Sequence, residues 1–131
     1  MKWVVSGILI FMLPLAVFSS MQAPQTLRIE MREFAFLPAT VVVTAGRPTR
    51  LLLVNRGQIA HQFEADYLRT LPVTIVTATA HVESPGLDVV RLEPEGTATL
   101  EFLPRQKGRF TFACTIEGHR EAGMRGVLEV R

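Results

Sequence analysis

The chain reads as an all-β domain, a sandwich or barrel of short strands. Three observations predict this: apolar and polar residues alternate in several short runs, Pro or Gly punctuates the chain at close intervals, and helical periodicity is weak after the N-terminal segment. Residues 26–31 alternate, with Leu27, Ile29 and Met31 on one face and Arg28 and Glu30 on the other, as a half-buried strand requires. Residues 40–44 are β-branched throughout, and Ala45, Gly46, Arg47 and Pro48 then make a turn. A largely apolar strand over residues 50–54 stops at Asn55, Arg56 and Gly57. The least readable stretch is 67–88, where Val73–Val76 fits a strand and Ser84, Pro85 and Gly86 a turn; it reads as a crossover with one edge strand. Thr97–Phe102 alternates again, Ala98, Leu100 and Phe102 opposing Thr97, Thr99 and Glu101, and strands at Gly108–Ala113 and 126–130 close the domain.

The N-terminus has the layout of an export signal. Met1 and Lys2 give a short positive start, residues 3–18 are apolar apart from Ser6, Gly7 and Pro14, and Ser19 and Ser20 follow. A spanning helix needs about 20 apolar residues, and this run is slightly shorter. Cleavage after Ser19 puts Val17 and Ser19 at the small-residue positions, whereas cleavage after Ala23 meets Pro24 at the scissile bond. Residues 1–23 are therefore a signal peptide or, if uncleaved, an N-terminal membrane anchor, and residues 24–131 form the domain. Either reading exports it, to the periplasm or the outer face of the cytoplasmic membrane.

Without that segment roughly 110 residues remain, enough for one domain with its own core. The formal charge is +2, or +1 once Lys2 is removed. Twelve of the 14 basic residues are Arg, but they form no block and the acids are spread among them, so nucleic acid is not an expected partner. No internal repeat is visible.

Cys114, the single cysteine, is the most informative residue. In an oxidising compartment cysteines normally pair; a lone one means an intermolecular bridge, a reactive thiol or a metal-bound thiolate. Cys114 opens the segment CTIEGHREAGM, in which His119 and Met124 follow at five-residue steps, and His61 lies upstream in VNRGQIAHQF. Two imidazoles, a thiolate and a thioether are the ligand set of a blue-copper site, with two His and one Cys in a trigonal plane and Met as a weak axial ligand. Five-residue steps would scatter Cys114, His119 and Met124 around a helix, so a loop must gather them. Gly118 and Gly123, each directly before a candidate ligand, permit the tight turns such a loop needs.

Each residue has a plainer reading. His61 alone would be a surface or core histidine, and Met124 could simply pack beside the last strand. The combination outweighs them. His81, with only Glu83 nearby, reads as a surface histidine, and Met21 and Met31 form no cluster. Structural zinc does not recruit a thioether. A Cys-His hydrolase needs a base beside the thiol and a third orienting group, and no CxxCH, HExxH or phosphate loop is present.

The segments FAFLPATVVVTAGRPTRLLLVNRGQIAHQF and GRFTFACTIEGHREAGMRGVLEV resemble the cupredoxins, the small blue-copper family that includes plastocyanin, azurin, rusticyanin and sulfocyanin. The resemblance spans about residues 34–131. The four-residue gaps on both sides of His119 are most similar to rusticyanin and sulfocyanin, and the ending GHREAGMRG is similar to cupredoxins of periplasmic copper tolerance. The resemblance implies a Greek-key β-sandwich that holds one copper ion, as Cu(I) or Cu(II). Cys114 would supply the thiolate, His61 a buried equatorial nitrogen, His119 a partly exposed edge for electrons, and Met124 the axial ligand. Two features depart from the family pattern. Many members carry Asn after the first His, where it ties the ligand loops together; here the residue is Gln62. Glu117, Arg120, Glu121 and Arg125 stand where relatives present a mostly apolar rim.

The implied function is a one-electron carrier rather than an enzyme, expected to be monomeric, with a redox protein such as a cytochrome, oxidase or reductase as its partner. The alternative is a periplasmic copper protein for copper tolerance or delivery, working with a copper-handling protein. Both readings use the same four ligands.

Overall fold

The computed structural model describes Met1 and residues 22–131, so the export segment read from the sequence lies outside the described residues. Among those residues eleven strands form two sheets packed as a Greek-key sandwich. In chain order they are β1 (Gln25–Arg32), β2 (Ala35–Leu37), β3 (Thr40–Val43), β4 (Thr49–Asn55), β5 (His61–Ala65), β6 (Val73–Val76), β7 (His81–Ser84), β8 (Val90–Leu92), β9 (Thr97–Phe102), β10 (Gly108–Ala113) and β11 (Arg125–Val130). One sheet runs β2-β1-β4-β9-β6-β7 and the other β3-β11-β10-β5-β8. Parallel pairing joins β1 to β4 and β3 to β11; the other neighbours are antiparallel.

Alternation places the core. Ile29 and Met31 of β1, Leu51 and Leu53 of β4, and Ala98, Leu100 and Phe102 of β9 are buried on the inner face of one sheet, as side chains two apart in a strand must share a face. Val41, Phe63, Phe112 and Leu128 answer from the other sheet. Phe36 of β2 meets Phe112 and Phe63 edge-on, with centroids 5.1 and 6.0 Å apart, and Phe63 lies 5.0 Å from Phe112. This aromatic triad crosses between the sheets, and each such pair adds about 0.5–1.5 kcal/mol beyond its buried area.

The sequence reading of residues 67–88 is corrected. The stretch holds two strands rather than one, preceded by a 3₁₀ turn at Asp66–Thr70 that buries Tyr67 and Leu68. β6 is not an edge strand: it lies between β9 and β7, and β7 forms the edge. The reason is visible in the burial. Of the β6 residues only Val73 is fully buried, and β7 is exposed on both faces, so neither run has a clean apolar stripe.

Four connections matter for function. The β1–β2 turn (Glu33 and Phe34), the β4–β5 loop leading to His61, the end of β10 at Cys114 and the β10–β11 loop meet at one end of the sandwich.

Candidate metal centre

Cys114 follows the last residue of β10, where Phe112 and Ala113 are already buried, so the strand delivers the thiol into the interior. The chain then turns back on itself through its own backbone. The His119 N–H donates to the Ile116 carbonyl at 3.0 Å, Ala122 N–H to Gly118 at 3.0 Å, and Gly123 N–H to Arg120 at 3.0 Å. Met124 N–H donates to the His119 carbonyl at 3.0 Å, and Cys114 N–H closes the loop on the Met124 carbonyl at 3.0 Å. Gly118 and Gly123 adopt φ of 80° and 107°, which side-chain-bearing residues rarely take.

The fold brings three of the four sequence-predicted donors into one cluster: ligand atoms of His61, Cys114 and His119 all lie within 4.8 Å of one another. Cys114 Sγ is 3.4 Å from His119 Nδ1, and the His61 and His119 ring centroids are 5.3 Å apart. Met124, the fourth, is bonded through its backbone to both Cys114 and His119, and its side chain is fully buried. His61, Cys114 and Met124 are 0% exposed and His119 7%. His81 stands apart, exposed on the edge strand β7.

His61 heads β5, and Asn55 shapes the loop that leads to it. The buried Asn55 amide donates to the Ile59 and Leu92 carbonyls at 2.8 and 2.9 Å, and its oxygen accepts the Gly57 N–H at 2.8 Å. Both ring nitrogens of His61 are buried, and among the described residues neither has a hydrogen-bond partner. Burial, and then the neighbouring His119, hold its pKa below the usual histidine value, so the ring stays neutral with a lone pair free. An unpartnered polar group in the interior is costly; beside a thiol, a second imidazole and a thioether, it fits a copper ion.

Two residues of the site escaped the sequence reading, and both lie in the β1–β2 turn. Glu33 Oε1 accepts the Gln58 N–H at 2.6 Å and the Ile59 N–H at 3.4 Å, and it stands 3.7 Å from His61 Nε2. Those amides, Gln58 first, hold its carboxyl below the usual pKa. Phe34, at φ 59°, sets its ring edge-on to His119 with centroids 5.2 Å apart. Nothing local marks either residue, because what they touch lies far along the chain.

Gln62, directly after His61, joins the two ligand segments. Thr115 Oγ1 donates to Gln62 Oε1 at 2.7 Å, and the Gln62 N–H points at Cys114 Sγ from 3.3 Å. Around the site's surface Phe34 and Ile59 expose apolar area, Glu117, Arg120 and Glu121 are exposed on the loop, and Arg125 is exposed at the start of β11.

The Cupredoxin-like domain family matches residues 5–130. A copper-resistant cuproprotein CopI from Rubrivivax gelatinosus is 32% identical over 113 residues, which cover 84% of this chain and 68% of the relative. Another protein of that name, from Pseudomonas aeruginosa, is 24% identical, with 84% of this chain and 78% of the relative covered. Among solved structures, auracyanin B superposes with a TM-score of 0.59 at 18% identity over 83% of this chain and 89% of its own. A laccase from Pediococcus acidilactici gives 0.67 at 16% identity, where this chain spans 30% of the larger protein. At such identities the structural likeness speaks for the fold alone.

Proposed function

Because the chain belongs to the cupredoxin-like domain family, we propose that it binds one copper ion through His61, Cys114, His119 and Met124 and works as an exported, non-enzymatic one-electron carrier. Copper in such a donor set supplies a one-electron couple between Cu(II) and Cu(I). The chain's own residues do the rest. His61, Cys114 and Met124 are sealed from solvent, and two sheets and a closed loop fix where their donor atoms stand. His119 is the donor that reaches the surface, and its ring edge is the exit for an electron. Phe34, edge-on to that ring, offers a desolvating contact, while Arg120, Glu121 and Arg125 set encounter rate and its salt dependence. The burial of the donors behind one histidine carries this reading, since a buried ion is retained while electrons pass.

A second reading, copper tolerance in the periplasm, is favoured by the two relatives named copper-resistant cuproprotein. The copper-loaded protein should show a thiolate-to-Cu(II) absorption band that Cys114→Ser abolishes; a band that survives the substitution refutes the site. Stopped-flow reduction by candidate cytochromes, run beside copper transfer to a chelating acceptor, separates the two roles. Rapid loss of copper with slow reduction by every cytochrome would sink the carrier reading in favour of copper handling.

A further inference from the structure

We infer that Glu33 is a positioning residue for the metal centre: its carboxylate keeps the His61 proton on Nε2, leaving Nδ1 as the ligating nitrogen, and sets a negative charge beside the site that favours Cu(II) over Cu(I). The inference rests on the copper reading above and goes beyond it by naming what orients the buried histidine.

Four observations carry it. His61 is fully buried and, among the described residues, neither ring nitrogen has a hydrogen-bond partner that would set the tautomer. The group against Nε2 is Glu33 Oε1, at 3.7 Å. That oxygen is not a free rotor: the Gln58 and Ile59 amides hold it at 2.6 and 3.4 Å. Gly57 leaves the necessary room, because a Cβ there would collide with the Glu33 carboxylate and stand 2.8 Å from His61 Nε2. A histidine that ligates a metal through one nitrogen nearly always gives its other N–H to a carboxylate, carbonyl or water, which fixes the tautomer and raises ligand basicity. Here the charged partner in reach, among the described residues, comes from a turn 28 residues upstream of the ligand. A fixed negative charge stabilises the more highly charged oxidation state of a nearby ion.

The test begins with the unaltered protein, which must show the thiolate-to-Cu(II) band; its absence would overturn the copper reading and, with it, this one. With the band present, Glu33→Gln keeps an oxygen for Gln58 and Ile59 and removes the charge. It should shift the Cu(II)/Cu(I) balance toward Cu(I) by about tenfold, on the order of the change in metal affinity that losing such a partner produces. For a one-electron couple that is a rise of about 59 mV in reduction potential. Nitrogen-15 NMR of the Zn(II)-loaded protein should find the His61 proton on Nε2, and Glu33→Ala should move that signal. Glu33→Gln remains decisive if the alanine variant fails to fold. A merely structural role would lower stability while leaving potential and tautomer alone. An unchanged or lowered potential in Glu33→Gln, or a proton on Nδ1 in the unaltered Zn(II) form, overturns the inference.

Discussion

In the β10–β11 loop the backbone of residues 114–124 bonds to itself, from the His119 and Ile116 contact to the closure of Cys114 on Met124. The β4–β5 loop that delivers His61 is instead held by side chains: Asn55 binds Gly57, Ile59 and Leu92, and Glu33 binds Gln58 and Ile59. One side of the site is thus nearly self-contained, and the other is assembled from segments far apart in the chain. The difference teaches where the site is vulnerable. Backbone bonds survive most substitutions, whereas a loop pinned by side chains depends on those side chains, above all the buried Asn55 amide.

The largest effect should come from Asn55→Ala. It strands two carbonyls and one N–H, and leaving buried polar groups unpaired costs about 1–3 kcal/mol each before relaxation. We expect the metal-free protein to lose about 3 kcal/mol in denaturant unfolding, against less than about 0.5 kcal/mol for Glu121→Ala on the exposed loop surface. Equal losses would erase the distinction between the two sides. Thr115→Val, which cuts the bond joining the two sides at Gln62, should cost about 1 kcal/mol, the usual net worth of one hydrogen bond. If copper release accelerates without any loss of stability, the clasp acts on the metal rather than on the fold.

The smallest effect concerns acid. Burial lowers the His61 pKa from its ordinary 6.5, so below that pH the unfolded chain takes up a proton that the folded chain refuses. Stability of the metal-free protein should therefore be complete above about pH 6.5 and fall as pH drops from there toward the folded value. Unfolding midpoints at about pH 7.5 and 5.5, both above the carboxylate range, read this directly. No fall over that interval, or an equal fall in His61→Gln, would remove His61 as its source.

Much of this was legible in the sequence, and the legible parts share a cause. The faces of β1 and β9 follow from alternation between Leu27, Ile29 and Met31 and between Ala98, Leu100 and Phe102, a local signal that burial preserves. Cys114, His119 and Met124 are readable because eleven consecutive residues hold them, and His61 because a β-turn and an apolar strand precede it. Asn55 looked like a turn residue, and its buried role arises only from contact with Leu92. Glu33 and Phe34 were invisible for the same reason. Residues 67–88 misled because β6 takes its central place through pairing with β9, while its own side chains are mostly half-buried and show no stripe.

The direction of β1 also bears on how the domain can be tethered. The strand starts at Gln25, pinned by its N–H to the Pro48 carbonyl, and ends at the turn whose Glu33 touches His61. At about 3.3 Å per residue, those two points are roughly 26 Å apart. Residues preceding Gln25 therefore join the sandwich at the end opposite His119. Fixed to any surface by that end, the domain would hold its His119 end outward, about one domain length from the attachment.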